Sequence, residues 1–217
     1  PRRAHFTIEK IFDFFNGSTA GEDPLQPQTN LCRLVKFEIE FKSKGKMAIY
    51  HFSVKTISRS AGRSAVACSA YRSGEKLIDE RQGKEQDYTR KTGVEFTKIY
   101  APENTNPDLL DRNQLWNTVE KVERRKDANL AREFEIAFPH ELNAEQRQTM
   151  LNELCEELVK RHGVIVDAAI HAPHTQSGSD ERNYHAHIMF TGRQIDLETG
   201  DFAKKRNRDF NKENSSK

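Results

Sequence analysis

The 217 residues suffice for one domain with an appendage. Hydrophobic residues make up 35% and charged residues 31%, enough for one core and too polar for a membrane protein, and no run approaches the ~18 apolar residues of a spanning helix. With 35 basic against 33 acidic residues the net charge is +2, so the chain is no polycation, and any nucleic-acid contact needs locally concentrated positive charge.

Residues 1–46 differ from the rest. They hold six of the thirteen phenylalanines and a Gly/Pro/Gln-containing stretch over 17–30, with Phe37, Ile39 and Phe41 alternating with charges as in a strand. A cleaner pattern opens at Met47, behind a Lys-Gly-Lys that a purine-rich run would encode. We therefore expect Met47 to be the natural start and 1–46 an extension upstream of it. A native peptide crossing Lys46–Met47 in mass spectrometry would refute this. A strand is expected over 47–56, with Tyr50, Phe52 and Val54 on one face and His51 and Ser53 on the other. Ser60 is a candidate cap for a helix reaching about Asp79, with small residues Ala61, Ala65, Ala67 and Cys68 for close packing on a sheet and Gly74 weakening its last turn.

The charged stretch 79–92 reads as a loop, 94–100 as a strand and 102–107 as a turn region. A helix is expected over 112–126, with Leu115, Val119 and Val122 inward, and a strand over 130–138, closed by Pro139. Asn143-Ala144-Glu145-Gln146 is a capping-box start for a helix to His162, with Met150, Leu151, Leu154 and Leu158 inward and Gly163 as its stop. Strands over 164–171 and 184–191 follow, joined by a long polar loop. The stretch 201–217 carries six basic and three acidic residues and has no apolar closure, so we expect the chain to be truncated there. The expected fold is α+β, a central antiparallel sheet of about five strands flanked by helices. Cys32, Cys68 and Cys155 form no CxxC pair and suggest neither a disulfide scaffold nor a zinc knuckle, which makes a reduced, cytoplasmic compartment the default expectation.

His185-Ala186-His187 carries the strongest chemical signal. Residues i and i+2 of a strand project from the same face, so both imidazoles can reach one metal ion. If the strand ending at His171 pairs antiparallel with this one, His171 joins them, and three histidines with open positions describe a catalytic metal site. HxH pairs also arise by chance on exposed strands. His174 is a possible substitute ligand in the loop after Pro173, while His51, His140 and His162 read as surface or turn residues. Glu133 and Glu135 form a second same-face pair. Either both face water, or they face the histidines, where a carboxylate orients a ligating imidazole or approaches the metal. Tyr71 lies in a segment holding five basic residues and one acid between Lys55 and Lys76, a local positive patch of the kind phosphate binding requires. A tyrosine hydroxyl ordinarily titrates near ~10, so as a nucleophile it needs a base, a cation or a polarised substrate. A helix tyrosine also serves as an amphipathic core residue, and Tyr71 alone does not decide between the two. Tyr88 is a backup nucleophile in a charged segment.

These residues carry a resemblance. Met47-Ala48-Ile49-Tyr50-His51-Phe52, then Ser58-Arg59-Ser60-Ala61-Gly62-Arg63-Ser64-Ala65 and Ala70-Tyr71-Arg72, is similar to the opening of the MobA/MobL plasmid mobilisation relaxases. Ala131-Arg132-Glu133-Phe134-Glu135-Ile136-Ala137-Phe138-Pro139 resembles their middle motif. Ala169-Ile170-His171 with His185-Ala186-His187 resembles their three-histidine motif. The likeness runs over about 47–193. It implies an HUH-type relaxase over 47–200 that nicks and rejoins one strand at an origin of transfer through a 5′-phosphotyrosyl intermediate. Tyr71 matches the nucleophile, Glu133 the acidic residue with Glu135 beside it, and His171, His185 and His187 the metal ligands. Mg²⁺ or Mn²⁺ is expected in function, although three imidazoles bind Zn²⁺ or Ni²⁺ more tightly. Arg63, Arg72 and Lys76 are expected to hold DNA phosphates. The partners implied are single-stranded or melted DNA, accessory mobilisation proteins and a coupling protein, with no membrane insertion. The alternatives are a rolling-circle initiator or transposase of the HUH class, a three-histidine metallohydrolase without a covalent adduct, and a non-enzymatic DNA-binding fragment. Two departures stand out. The family's start corresponds to Met47, and the chain stops soon after the histidine motif.

Overall fold

The computed structural model describes residues 36–37, 50–173 and 183–207. In chain order these form β1 (Lys36–Phe37), β2 (Tyr50–Ser58), α1 (Ala65–Ser73), β3 (Lys76–Asp79), β4 (Lys84–Asp87), β5 (Val94–Tyr100), a 3₁₀ turn (Pro107–Leu110), α2 (Arg112–Val122), β6 (Asn129–Ala137), α3 (Ala144–His162), β7 (Val164–His171) and β8 (His185–Gln194). The central sheet runs β1-β2-β6-β8-β7-β5 and every pairing in it is antiparallel. Five long strands and the two-residue β1 thus make the expected helix-flanked antiparallel sheet.

Helices cover both faces of β7, which is why all eight of its residues are buried. On one face α1 and α2 enclose a core of Ala65, Val66, Ala70, Leu115, Trp116, Leu130, Ile165 and Met189. On the other, α3 packs on β5 and β7 through a stripe including Leu151, Leu154 and Leu158, beside the ring contacts Phe52–Phe134 and Phe134–Phe190. Each fully buried Phe or Leu contributes ~1.5–3 kcal/mol by leaving water.

Three expectations are corrected. The first helix starts later, because Ser64 and not Ser60 caps it: Ser64 Oγ accepts from the Ala67 N–H at 3.2 Å, while the chain just before turns at Gly62 (φ +71°). It also ends earlier. Gly74 adopts φ +68°, in the left-handed region open to glycine, and its N–H caps the Ala70 carbonyl at 2.9 Å. Beyond it 76–79 is strand, not helix, and pairs with β4 inside the stretch expected to be loop. Residues 201–207 pack back on the sheet: Ala203 N–H donates to the Gln194 carbonyl at 2.9 Å and Asn207 N–H to the Gly192 carbonyl at 3.0 Å. The other expected helices and strands are present to within a few residues. Residues 47–49 of the expected first strand, most of 1–46, His174 and 208–217 lie outside the described residues.

A buried acid seats α1 on the sheet. Asp167 of β7 accepts from Ser69 Oγ at 2.6 Å, Trp116 Nε1 at 2.9 Å and Arg112 Nε at 3.0 Å. Truncating it strands three buried donors. Asp167→Ala is expected to cost ~3–5 kcal/mol in urea unfolding, and Asp167→Asn, which keeps one acceptor oxygen, clearly less.

Candidate metal centre

The register of β7 on β8 sets His171 directly opposite His185 and Ala169 opposite His187. Alternation then puts all three imidazoles on one face of the sheet, the face that α1 covers. Their ring centroids are 5.3 Å (His171–His185), 4.7 Å (His171–His187) and 5.0 Å (His185–His187) apart, and one ligand nitrogen from each lies within 4.8 Å of the others.

The donor chemistry of this set fits a metal ion. Each ring has one nitrogen within hydrogen-bonding distance of an acceptor: His171 Nε2 and the Arg72 carbonyl at 2.7 Å, His185 Nδ1 and the Asn183 carbonyl at 3.3 Å, His187 Nδ1 and Glu133 Oε1 at 2.7 Å. A carbonyl or carboxylate needs an N–H donor, so these contacts fix the tautomers and leave the lone pair on the other nitrogen. Burial pushes His171 down to about 3 against the smaller opposing effect of the Arg72 carbonyl, and burial likewise lowers His185. Both are therefore neutral at pH 7, as ligands must be.

Glu133, on the same face of β6, is fully buried. Burial alone would raise its pKa, but hydrogen bonds from His187 and Arg72 outweigh that and hold it at about 2. Arg72 grips it with a two-point fork, Nε to Oε1 and Nη2 to Oε2, both at 2.5 Å, while Nη1 donates to the Cys68 carbonyl at 2.6 Å. The Glu133–Glu135 pair thus faces the histidines and not open water. Glu135 stands directly opposite His187 and is ion-paired with Lys55; burial would raise its pKa, but the bond from Lys55 leads the effects that outweigh it and lower it.

The remaining sequence candidates separate. Tyr71 is 47% exposed on α1, next to the arginine that contacts both His171 and Glu133. Its ring meets that of Tyr88 edge-on at 5.4 Å, and the Lys91 ammonium lies 3.7 Å from its centroid. Arg63 is exposed in the turn before α1. Lys76 lies on β3, paired with Glu85 at 2.8 Å. Arg72 points inward, each of its three nitrogens already donating within the protein, where the basic pattern alone suggests a phosphate contact. His140 sits in the turn after β6 beside Glu141 at 3.3 Å, and His162 closes α3. Lys91 was missed: it lies in a segment read as loop, and no spacing connects it to the histidines.

The family model described as MobA/MobL family matches residues 63–217. The chain belongs to the MobA/MobL family. It is 42% identical over 164 residues to the mobilization protein MobL of Acidithiobacillus ferridurans, covering 67% of this chain and 43% of that protein. It is 36% identical over 162 residues to a probable mobilization protein MobA of Bifidobacterium longum (strain NCC 2705), covering 75% and 28%. The conjugal transfer protein TraA of Rhizobium radiobacter is 36% identical over 163 residues, with 70% and 14% covered. The match thus spans less than half the length of these curated relatives. A solved structure from work on the molecular basis of vancomycin resistance transfer in Staphylococcus aureus superposes with a TM-score of 0.65 at 35% identity, covering 74% of this chain and 78% of that one. Among the described residues no helix is long and apolar enough to cross a membrane.

Two outcomes are expected. In isothermal titration with Mn²⁺, His187→Ala should abolish binding, and Glu133→Gln, which keeps the shape but weakens the acceptor, should lower affinity ~10–100-fold. Acid should destabilise the metal-free chain in two overlapping steps. His171 falls from an ordinary 6.5 to about 3 on folding, so the unfolded chain binds the extra proton between these values and stability drops as pH falls through that window. Glu133, held at about 2 against an ordinary 4.5, adds a second loss in the same direction below pH ~5. Urea midpoints measured from pH 7 to 3 should show both, with the upper step reduced in His171→Gln; midpoints constant down to pH 4.5 would contradict the assignment.

Proposed function

We propose that this chain is the relaxase part of a plasmid mobilisation protein, a site- and strand-specific DNA nicking and rejoining enzyme acting at an origin of transfer. One observation carries the reading. The residue beside Tyr71 is bonded to the metal-centre candidates twice, through the Arg72 carbonyl to His171 and through the Arg72 guanidinium to Glu133, which in turn holds His187. A tyrosine is thereby tethered beside a three-histidine site. The names of the relatives, mobilization and conjugal transfer proteins, agree with that chemistry.

Tyr71 Oη attacks the scissile phosphorus in line. The Oη–P bond forms as the P–O3′ bond breaks, the phenolic proton passes to solvent base, and the departing oxygen takes up a proton to become a free 3′-OH. The product is a 5′-phosphotyrosyl ester, which keeps the energy of the broken bond, so the 3′-OH can reverse the step. Activated water would make cleavage irreversible, and that difference separates a relaxase from a metallohydrolase. A divalent ion held by His171, His185 and His187 would supply Lewis-acid polarisation of the scissile phosphate. Mg²⁺ or Mn²⁺ suits phosphodiester oxygens in function, while Zn²⁺ or Ni²⁺ would bind three imidazoles more tightly. Glu133 positions His187 and does not itself meet substrate, being fully buried. We assign Glu135 the same supporting role, with Lys55 as its counter-charge. Arg63 and Lys76 are the proposed phosphate contacts, Lys76 once released from Glu85. The reading brings single-stranded or melted DNA, accessory mobilisation proteins and a coupling protein as partners, in the cytoplasm. Residues 47–200 form the proposed nicking domain.

The test uses the supercoiled plasmid that carries this gene, incubated with protein and Mn²⁺ and stopped with SDS. Wild type is expected to leave a nick with protein on the 5′ end, and Tyr71→Phe to lose the adduct by more than ~10³-fold. Adduct retained in Tyr71→Phe and lost in Tyr88→Phe would move the nucleophile to Tyr88. Nicking that persists in Tyr71→Phe with no attached protein would establish the metallohydrolase alternative.

A further inference from the structure

Lys91 is a lysine out of place. Its side chain is partly buried between the end of β4 and the start of β5, and burial, followed by the like charge of Arg72, lowers its pKa to about 8. Among the described residues no carboxylate pairs with it. A desolvated ammonium beside an arginine and without a counter-ion costs folding energy, which makes it a candidate for a functional role. The ammonium instead makes two contacts, both to one residue. It lies 3.7 Å from the centroid of the Tyr71 ring, and it donates to the Tyr71 carbonyl at 2.8 Å.

The segment carrying Lys91 is built to deliver it. Tyr88 N–H donates to the Glu75 carbonyl at 3.2 Å, which docks the segment on the end of α1, and Lys91 N–H donates to the Tyr88 carbonyl at 2.9 Å, which closes the turn. The two residues of that turn that touch the Tyr71 ring are its first and last: Tyr88 edge-on at 5.4 Å and Lys91 over the face. An exposed helix tyrosine ordinarily samples several rotamers, and this one is gripped from two sides. Both His171 and His185 feel the Lys91 charge, so the ammonium that holds Tyr71 also lies within electrostatic range of the histidine site.

We propose that Lys91 is a positioning residue for the nucleophile, holding the Tyr71 ring and backbone so that the phenolic oxygen is presented to the phosphodiester at the histidine site. The role rests on the relaxase reading above. Cation–π attraction and the carbonyl hydrogen bond fix the ring before substrate arrives, and fixing one reacting partner raises the rate of attack without raising affinity for DNA. The same grip serves rejoining, where the phenolate departs and gains electron density under the cation.

The experiment compares wild type, Lys91→Met and Lys91→Arg on a single-stranded oligonucleotide spanning the mapped nick, with Mn²⁺, under single-turnover conditions at saturating protein. Lys91→Met keeps the aliphatic stem and removes the charge. It is expected to slow phosphotyrosyl formation ~10–100-fold while the oligonucleotide dissociation constant, measured with Tyr71→Phe as the uncleaving background, changes less than ~3-fold. Lys91→Arg, which keeps a cation for the ring face, should recover at least half of that loss on a logarithmic scale. A second readout needs no activity: in the DNA-free protein with ring-labelled tyrosine, Tyr71 should show one fixed ring environment in wild type and an averaged one in Lys91→Met. An adduct rate within ~3-fold of wild type, or a loss confined to DNA affinity, overturns the proposal, as does an unchanged Tyr71 ring signal should Lys91→Met be too unstable for kinetics. Wild type that forms no adduct at all overturns the relaxase reading itself, and the two failures are thereby told apart.

Discussion

A carboxylate with no exposure to water governs this structure. Glu133 points into the face of the sheet that α1 covers, and an ion there is tolerated only if hydrogen-bond donors surround it. Arg72 supplies two donors from α1 and His187 a third from β8. Meeting that need fixes three things together. The helix is pinned to the sheet, the His187 tautomer is set, and the Arg72 carbonyl is brought to His171. The fork geometry matters, because a lysine would offer a point charge where the carboxylate takes a planar pair of bonds. A second buried acid, Asp167, repeats the logic two strands over through Ser69, Trp116 and Arg112, so α1 is seated at its middle and at its last turn by acids that β7 and β6 project.

The strands that carry the site were the most legible part of the sequence. HxH at strand spacing, a third histidine ending the preceding strand, and acids alternating with Phe134 and Ile136 place five side chains on one face as soon as the pairing is antiparallel, and the register of β6, β8 and β7 does that. Capping signals read equally well at Asn143 and Gly163, because the side-chain and left-handed geometry there are local. Legibility failed where local signals competed or were missing. Ser60 and Ser64 both precede a run of small residues, and only the turn at Gly62 decides that Ser64 caps the helix. β4 reads Lys84-Glu85-Gln86-Asp87 with no apolar alternation, since it is an exposed strand held by its pairing to β3 and not by burial. Arg72 could not be told from a phosphate contact because its partner is 61 residues away in the sequence.

Burial grades across the site in the direction that the proposed chemistry requires. Glu133 and His171 are shut away from water, the HxH pair is intermediate, and Tyr71 is half in solvent. A ligand set keeps its geometry by being packed and hydrogen-bonded, which needs the interior of a sheet covered by a helix. The nucleophile proposed here, which would meet a phosphodiester inside a long polymer, needs the reverse, an exposed side chain that a strand can reach. These demands conflict if all the groups sit on one element, and the fold separates them. The sheet holds the rigid part, and α1 carries the exposed part on its surface with its anchor one residue further along the chain. Tyr71 and Arg72 are neighbours about 100° apart around a helix, so one faces solvent while the other reaches the sheet. The covalent link between them turns the buried ion pair into a fixed address for the phenol, set by the same carboxylate that orients His187.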